Sequence, residues 1–197
     1  VNDANLIIQR AKEEYPELPI FMFGHSMGGF ITVLYGEKYK DKLDGQILSG
    51  AATDEPPQSN AFLKLVINIL NATFPKMRIK NDLSALVSRD NEVVEKYRND
   101  PLVHNKATAR FFNQFIIEGM TQLKNNMKEY SYPCLILHGK EDKLVKCQAS
   151  EYFYNNISST DKQIKLYDNL YHEILNEPEK DMVINDILSW LKDKINK

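Results

Sequence analysis

The sequence has no basic tract and no long apolar run, and only two cysteines and four histidines among its 197 residues. Each shortage excludes something. Without clustered Lys and Arg, and with a net charge of −2 and a pI near 6.1, nothing points to nucleic acid. No stretch reaches the roughly 18 apolar residues that a bilayer-crossing helix needs. Cys134 and Cys147 lack the spacing of a metal site, and so few cysteines lean toward a reducing compartment. Cys134 reads as a small core residue, and nothing in the sequence supports a disulfide to Cys147. The first residue is Val1, and no signal peptide, internal repeat or low-complexity tract is visible. What remains is ordinary for a globular chain: 43% hydrophobic and 26% charged, with enough length for one sizeable core.

Periodicity divides the chain into three parts. Residues 3–14 read as a helix with Leu6, Ile7 and Ala11 as its apolar stripe, ended by Pro16. "LPIFMFG" reads as a buried strand, "GGFITVLYGEKYK" as a helix facing inward through Phe30, Val33 and Leu34, and "GQILSGAA" as a second buried strand. At "TDEPPQSN" two adjacent prolines and polar neighbours mark a boundary. "AFLKLVINILNATF" then places Phe62, Leu65, Val66, Ile69 and Leu70 at helical spacing. A helix this apolar is expected to be buried or to face a greasy ligand. No strand pattern stands out over 75–112, and "FFNQFIIEGMTQLKNN" is a further helix. Strand and helix alternate again in "YPCLILHG", "CQASEYFYNNI", "KQIKLYD" and a closing amphipathic helix with Val183, Ile184, Ile187, Leu188 and Leu191 on one face. The pattern predicts an α/β fold, a mostly parallel sheet flanked by helices with a helical cap insertion. Core halves would lie at 1–54 and 116–197, with the cap at 55–115.

Chemistry is concentrated at "GHSMG", Gly24 to Gly28, which fits the G-x-S-x-G pattern of a nucleophile elbow. A sharp strand-to-helix turn exposes the Ser26 hydroxyl and aims the helix N-terminus, with the Met27 N–H foremost, at the place where an oxyanion would form. The plainer alternative is a glycine-rich turn whose serine caps the helix. A serine nucleophile needs a base and a group to orient it. Of the four histidines, His25 adjoins the serine, His104 lies in the cap and His138 ends a strand, whereas His172 follows the last strand and stands where the base belongs. Asp142, at the turn after "CLILHG", is the expected orienting acid. Glu141 is its solvated neighbour, and Asp168 is read as a turn residue.

With these residues in place the chain resembles a known family. "GHSMGG", "LILHGKEDKLV", "YHEILNEPE" and the cap segment "LSALVSRDNEVVEKYRNDPLV" are similar to the monoacylglycerol lipase and lysophospholipase branch of the α/β-hydrolases. The resemblance implies a Ser26–Asp142–His172 triad acting on the ester of a monoacyl lipid, with no metal or cofactor. It also implies that His25 and Tyr97 help to line the site and that the cap helix carrying Phe62, Leu65, Val66 and Ile69 borders the acyl chain and meets a membrane surface. Family members begin with several strands before the elbow, one of whose loops gives the second oxyanion donor. The expectation is therefore that the N-terminal part of the sheet is missing from this chain and belongs to the same protein. A short or non-lipid ester is the alternative substrate, and a non-catalytic lipid- or partner-binding protein is the alternative function. Localisation would be cytoplasmic or at the membrane periphery.

Overall fold

A computed structural model describes residues 1–56 and 59–196. In chain order the elements are α1 (Asn2–Glu14), β1 (Phe21–His25), α2 (Met27–Lys38), β2 (Gly45–Ser49), α3 (Ala61–Thr73), β3 (Arg78–Lys80), α4 (Asn91–Asn99), β4 (Lys106–Thr108), α5 (Ala109–Phe112), π-helical turns Asn113–Gly119, α6 (Met120–Asn126), β5 (Cys134–Gly139), α7 (Cys147–Asn156), β6 (Lys162–Tyr167) and α8 (Lys180–Ile195).

The apolar strands form one parallel sheet in the order β1-β2-β5-β6. Parallel neighbours need crossovers. α2 makes the first and α7 the last, while the crossover from β2 to β5 carries the whole segment from α3 to α6. Because side chains alternate across a strand, the sheet builds two cores. Leu48, Cys134 and Ile136 face α2 and α7 and meet Phe30, Val33, Leu34 and Phe153. Ile47, Leu135 and Leu137 face the other way and meet Val183 and Trp190 of α8. β2 and β5 are buried along their whole length, as unbroken apolar runs predict.

The structure departs from the sequence reading in several places. β1 was expected to be buried, but among the described residues it lies at a sheet edge, with Phe23 45% exposed. In α1 the face that docks is Ala4 and Ile8, while Leu6 and Ile7 point outward. The α8 contact face is centred on Val183, Ile187, Trp190 and Leu191, which leaves Ile184 and Leu188 largely outside. This is the i, i+4, i+7, i+8 stripe that a helix resting on a sheet buries. The three-residue strands β3 and β4 pair antiparallel inside a segment that showed no strand pattern. Strands this short have no room for a visible alternation. The expected boundary at 115/116 falls within the π-helical turns, which join α5 and α6 in one helical run from cap to core. Both cysteines are free and buried. Of the boundary prolines, Pro57 lies outside the described residues.

Candidate active site

Ser26 stands between β1 and α2 with φ 53° and ψ −118°, a backbone conformation that a non-glycine residue rarely adopts. Its side chain makes no capping bond to α2, which counts against the plainer reading of a capping serine. The turn is fastened to the end of β2 by two backbone bonds, Ser26 N–H to Ser49 O at 2.9 Å and Ala52 N–H to Ser26 O at 3.2 Å. Close approach decides the glycines. A Cβ on Gly24 would lie 2.3 Å from Thr32 Oγ1, and one on Gly29 would lie 2.5 Å from the Ala51 Cβ. Gly28 has open space instead, so the tight contact on the helix side belongs to Gly29, one residue beyond the motif.

His172 and Asp142 meet at the same end of the sheet. Asp142 sits in the turn after β5, and His172 in the loop between β6 and α8. Gly139 lets that loop cross the strand end, since a Cβ there would fall 2.3 Å from the carbonyl oxygens of both Leu170 and Tyr171. His172 Nδ1 lies 2.6 Å from Asp142 Oδ2, and both side chains are almost fully buried. The carboxylate can only accept, so Nδ1 carries the proton and Nε2 is left as the basic nitrogen. Asp142 Oδ1 accepts from the backbone N–H of Leu144 and Val145 at 2.8 and 2.9 Å. Burial alone would push the Asp142 carboxyl upward. Hydrogen bonds from His138, His172 and the Val145 N–H outweigh burial and hold it well below the usual carboxylate range. Asp142 is therefore a fixed anion.

His25 lies beside this pair. Its ring centroid is 4.7 Å from that of His172, and its Nδ1 is 3.1 Å from Ser49 Oγ. Burial and the neighbouring His172 lower its pKa to about 4, so the ring is neutral near pH 7. Met27 opens α2 and is partly exposed. The acids set aside in the sequence stand where they were read. Asp168 is exposed and paired with Lys140 at 2.6 Å, and Glu141 is exposed.

The cap residues are placed differently. On α3, Phe62, Leu65 and Ile69 are 75%, 55% and 52% exposed and Val66 is half-buried, while Ile67 makes the buried contact. Thus α3 is neither buried nor covered over most of its apolar face. Tyr97 on α4 lines a groove of about 630 Å³ together with Asp90, Val93, Glu173 and Asn176, beside the His172 loop. Burial raises its pKa.

Two further contributions were not anticipated. His138, read as the end of a strand, is fully buried with its Nε2 3.1 Å from Asp142 Oδ2. Its four-residue spacing from Asp142 across a turn was the available signal. Glu177, in the quoted "YHEILNEPE", is buried and accepts from the Arg89 N–H at 3.1 Å, Arg89 Nε at 2.9 Å and the Tyr171 N–H at 3.3 Å. Together with the Glu173 N–H to Val87 O bond of 2.8 Å, it ties the His172 loop to the segment that enters α4. Among the described residues no cluster of His, Cys, Asp and Glu is arranged to hold a metal ion.

Comparison with known proteins gives a consistent picture. Residues 1–179 match the family described as serine aminopeptidase, S33. The monoacylglycerol lipase of Mycolicibacterium smegmatis is 32% identical over 191 residues, covering 97% of this chain and 68% of that protein. The monoglyceride lipase of Mus musculus is 29% identical, covering 99% of this chain and 65% of that protein. The crystal structure of the Paleococcus ferrophilus monoacylglycerol lipase superposes with a TM-score of 0.86 at 29% identity, covering 98% of this chain and 75% of that one. The chain thus spans about two thirds of the length of its curated relatives. The α/β-hydrolase architecture is common to them.

Proposed function

This chain belongs to the family described as serine aminopeptidase, S33, and from that membership we propose that it supplies the active centre of a carboxylic ester hydrolase that cleaves a monoacyl lipid through an acyl-enzyme. The observation that carries the reading is the buried 2.6 Å Asp142–His172 pair, at the same end of the sheet as a serine held at positive φ on an elbow.

His172 Nε2 takes the proton of Ser26 Oγ as that oxygen attacks the ester carbonyl carbon. The tetrahedral oxyanion faces the N-terminus of α2. There the Met27 N–H has no intrahelical acceptor and is free to donate, and the helix dipole favours negative charge. Asp142, already ionised, stabilises the imidazolium and holds its tautomer. His172 then returns the proton to the leaving alkoxide, which departs as the alcohol, either glycerol or a glycerophospho group. Water, deprotonated by the same imidazole, attacks the acyl-Ser26 ester and releases the fatty acid. No step calls for a metal or cofactor.

Two observations favour a lipid over a small ester. The similar proteins are called monoacylglycerol and monoglyceride lipases. The outward apolar face of α3 (Phe62, Leu65, Ile69) also suits contact with a lipid surface, from which Val66 and its neighbours would receive the acyl chain. Among the described residues no helix is long and apolar enough to cross a membrane, so such contact would be peripheral. On this reading Tyr97 and His25 border the head group.

Labelling with a fluorophosphonate probe tests the chemistry. Ser26 should be modified and Ser26→Ala should not, and equal labelling of both proteins would refute the assignment. A panel of monoacylglycerol, lysophospholipid and butyrate esters tests the substrate. Butyrate turned over as fast as the long-chain esters would exclude the lipid reading.

A further inference from the structure

His138 is buried at the end of β5, and every polar atom of its ring is engaged. Nε2 lies 3.1 Å from Asp142 Oδ2 and 2.9 Å from the Val145 carbonyl oxygen, both of which can only accept. Nε2 therefore carries a proton in either charge state of the ring. Nδ1 lies 2.7 Å from Ser150 Oγ on α7, a hydroxyl that can donate to a neutral ring or accept from a charged one. The ring is thus held from two sides, by the turn it spans and by the helix behind it.

The consequence concerns Asp142. Its Oδ1 is occupied by two backbone N–H groups, so Oδ2 is the oxygen left for histidine, and two imidazoles share it. We propose that His138 is a positioning residue that sets Asp142 through Oδ2, fixing the carboxylate plane and drawing off part of the charge that would otherwise act on His172 alone. Without His138, Oδ2 would be bonded by His172 alone, and the carboxylate, then pinned only through Oδ1, would stabilise the imidazolium more strongly. His138 thereby tunes how basic His172 is, without touching the substrate. The titratable groups facing this knot are His172 from the last loop, His25 from β1, Asp142 itself and Cys147 from α7, whose thiol is raised by burial and by Glu151 and Asp142.

The proposal rests on the Ser26–His172–Asp142 reading above, and its test separates the two. His138→Leu removes both ring nitrogens, His138→Gln keeps one donor near Oδ2, and Ser26→Ala is the control, all assayed on a monoacylglycerol across pH. In His138→Leu, kcat should fall about tenfold with KM within about twofold, as losses of outer-shell partners do. The acid limb of its kcat/KM profile should move to higher pH, because His172 is then the more basic. His138→Gln should restore most of both effects. The far-downfield proton NMR signal of His172 Nδ1–H should shift in His138→Leu and stay unshifted in Ser26→Ala. A His138→Leu protein that loses activity equally at all pH values, with that signal unmoved, overturns the positioning role and leaves His138 a packing residue. Full activity in Ser26→Ala would overturn the triad reading instead. If His138→Leu fails to fold, Ser150→Ala decides, since a parental acid limb there with the His172 Nδ1–H signal unmoved overturns the proposal.

Discussion

The knot around Asp142 and the cap helix α3 are opposites. In the knot polar groups are buried and bonded. Asp142 takes two backbone and two imidazole donors, and Glu177 takes three more a few residues past the base. On α3 apolar groups are exposed, with Phe62, Leu65 and Ile69 facing outward. Unpaired buried charge and bare apolar surface are each costly, so a fold keeps either one only where something offsets it. In the knot the offset lies within the chain, as hydrogen bonds. For α3 it lies outside, in whatever the helix meets. The difference teaches that changes in the knot should act on rate, and changes on α3 on encounter with substrate.

The hardest test of that division is Asp142→Asn. It keeps the shape but offers the His172 Nδ1 an amide, so kcat should fall by about 10⁴ at unchanged fold, read by steady-state kinetics and circular dichroism. A loss below tenfold would mean that the knot does not govern the rate. Glu177→Ala comes next. It removes three hydrogen bonds that tie the His172 loop to the cap's entry segment, and Tm should fall by roughly 5 °C in differential scanning calorimetry. A smaller but cleaner effect concerns pH. His25 is ordinarily near 6.5 and is held near 4 in the fold, so its contribution is full above pH 6.5 and is lost as pH falls toward 4. His25→Asn should therefore flatten the acid side of the curve of Tm against pH. Smallest in rate, and most telling for the comparison, is the triple change of Phe62, Leu65 and Ile69 to serine. Its kcat on a soluble butyrate ester should stay within about twofold and its stability within about 0.5 kcal/mol per site, as surface changes do. Its sedimentation with phospholipid vesicles should drop. A large loss of kcat on the soluble ester would place α3 in the chemistry and dissolve the contrast.

Much of the knot was legible in the sequence because its parts follow chain order. The G-x-S-x-G run, an acid after a glycine-ended strand and a histidine past the last strand are local patterns, and the structure brings Asp142 and His172 to 2.6 Å. Glu177 was not legible as a partner, and for His138 the four-residue spacing from Asp142 was the one signal. Their roles come from a shared acceptor atom and from a contact between Arg89 and Glu177, which lie 88 residues apart, and no periodicity encodes either. The buried strands β2 and β5 were readable from unbroken apolar runs. β1 reads the same way yet sits at an edge, because a run of apolar residues does not say how many neighbours a strand has. α3 reads as a helix that is buried or faces a greasy ligand, and burial fails over most of its apolar face, since helical spacing reveals a face but not what lies against it.

The strained turn at Ser26 has a consequence of another kind. A residue held at φ 53° works against the native state whenever it carries a side chain. Ser26→Gly, which cannot perform acyl transfer, should therefore melt higher than the parent, by the 2–4 °C that about 1 kcal/mol is worth in a chain this long. The elbow would then be a point where selection for activity and selection for heat tolerance pull in opposite directions, and any drift toward an inactive homologue would find its easiest first step there.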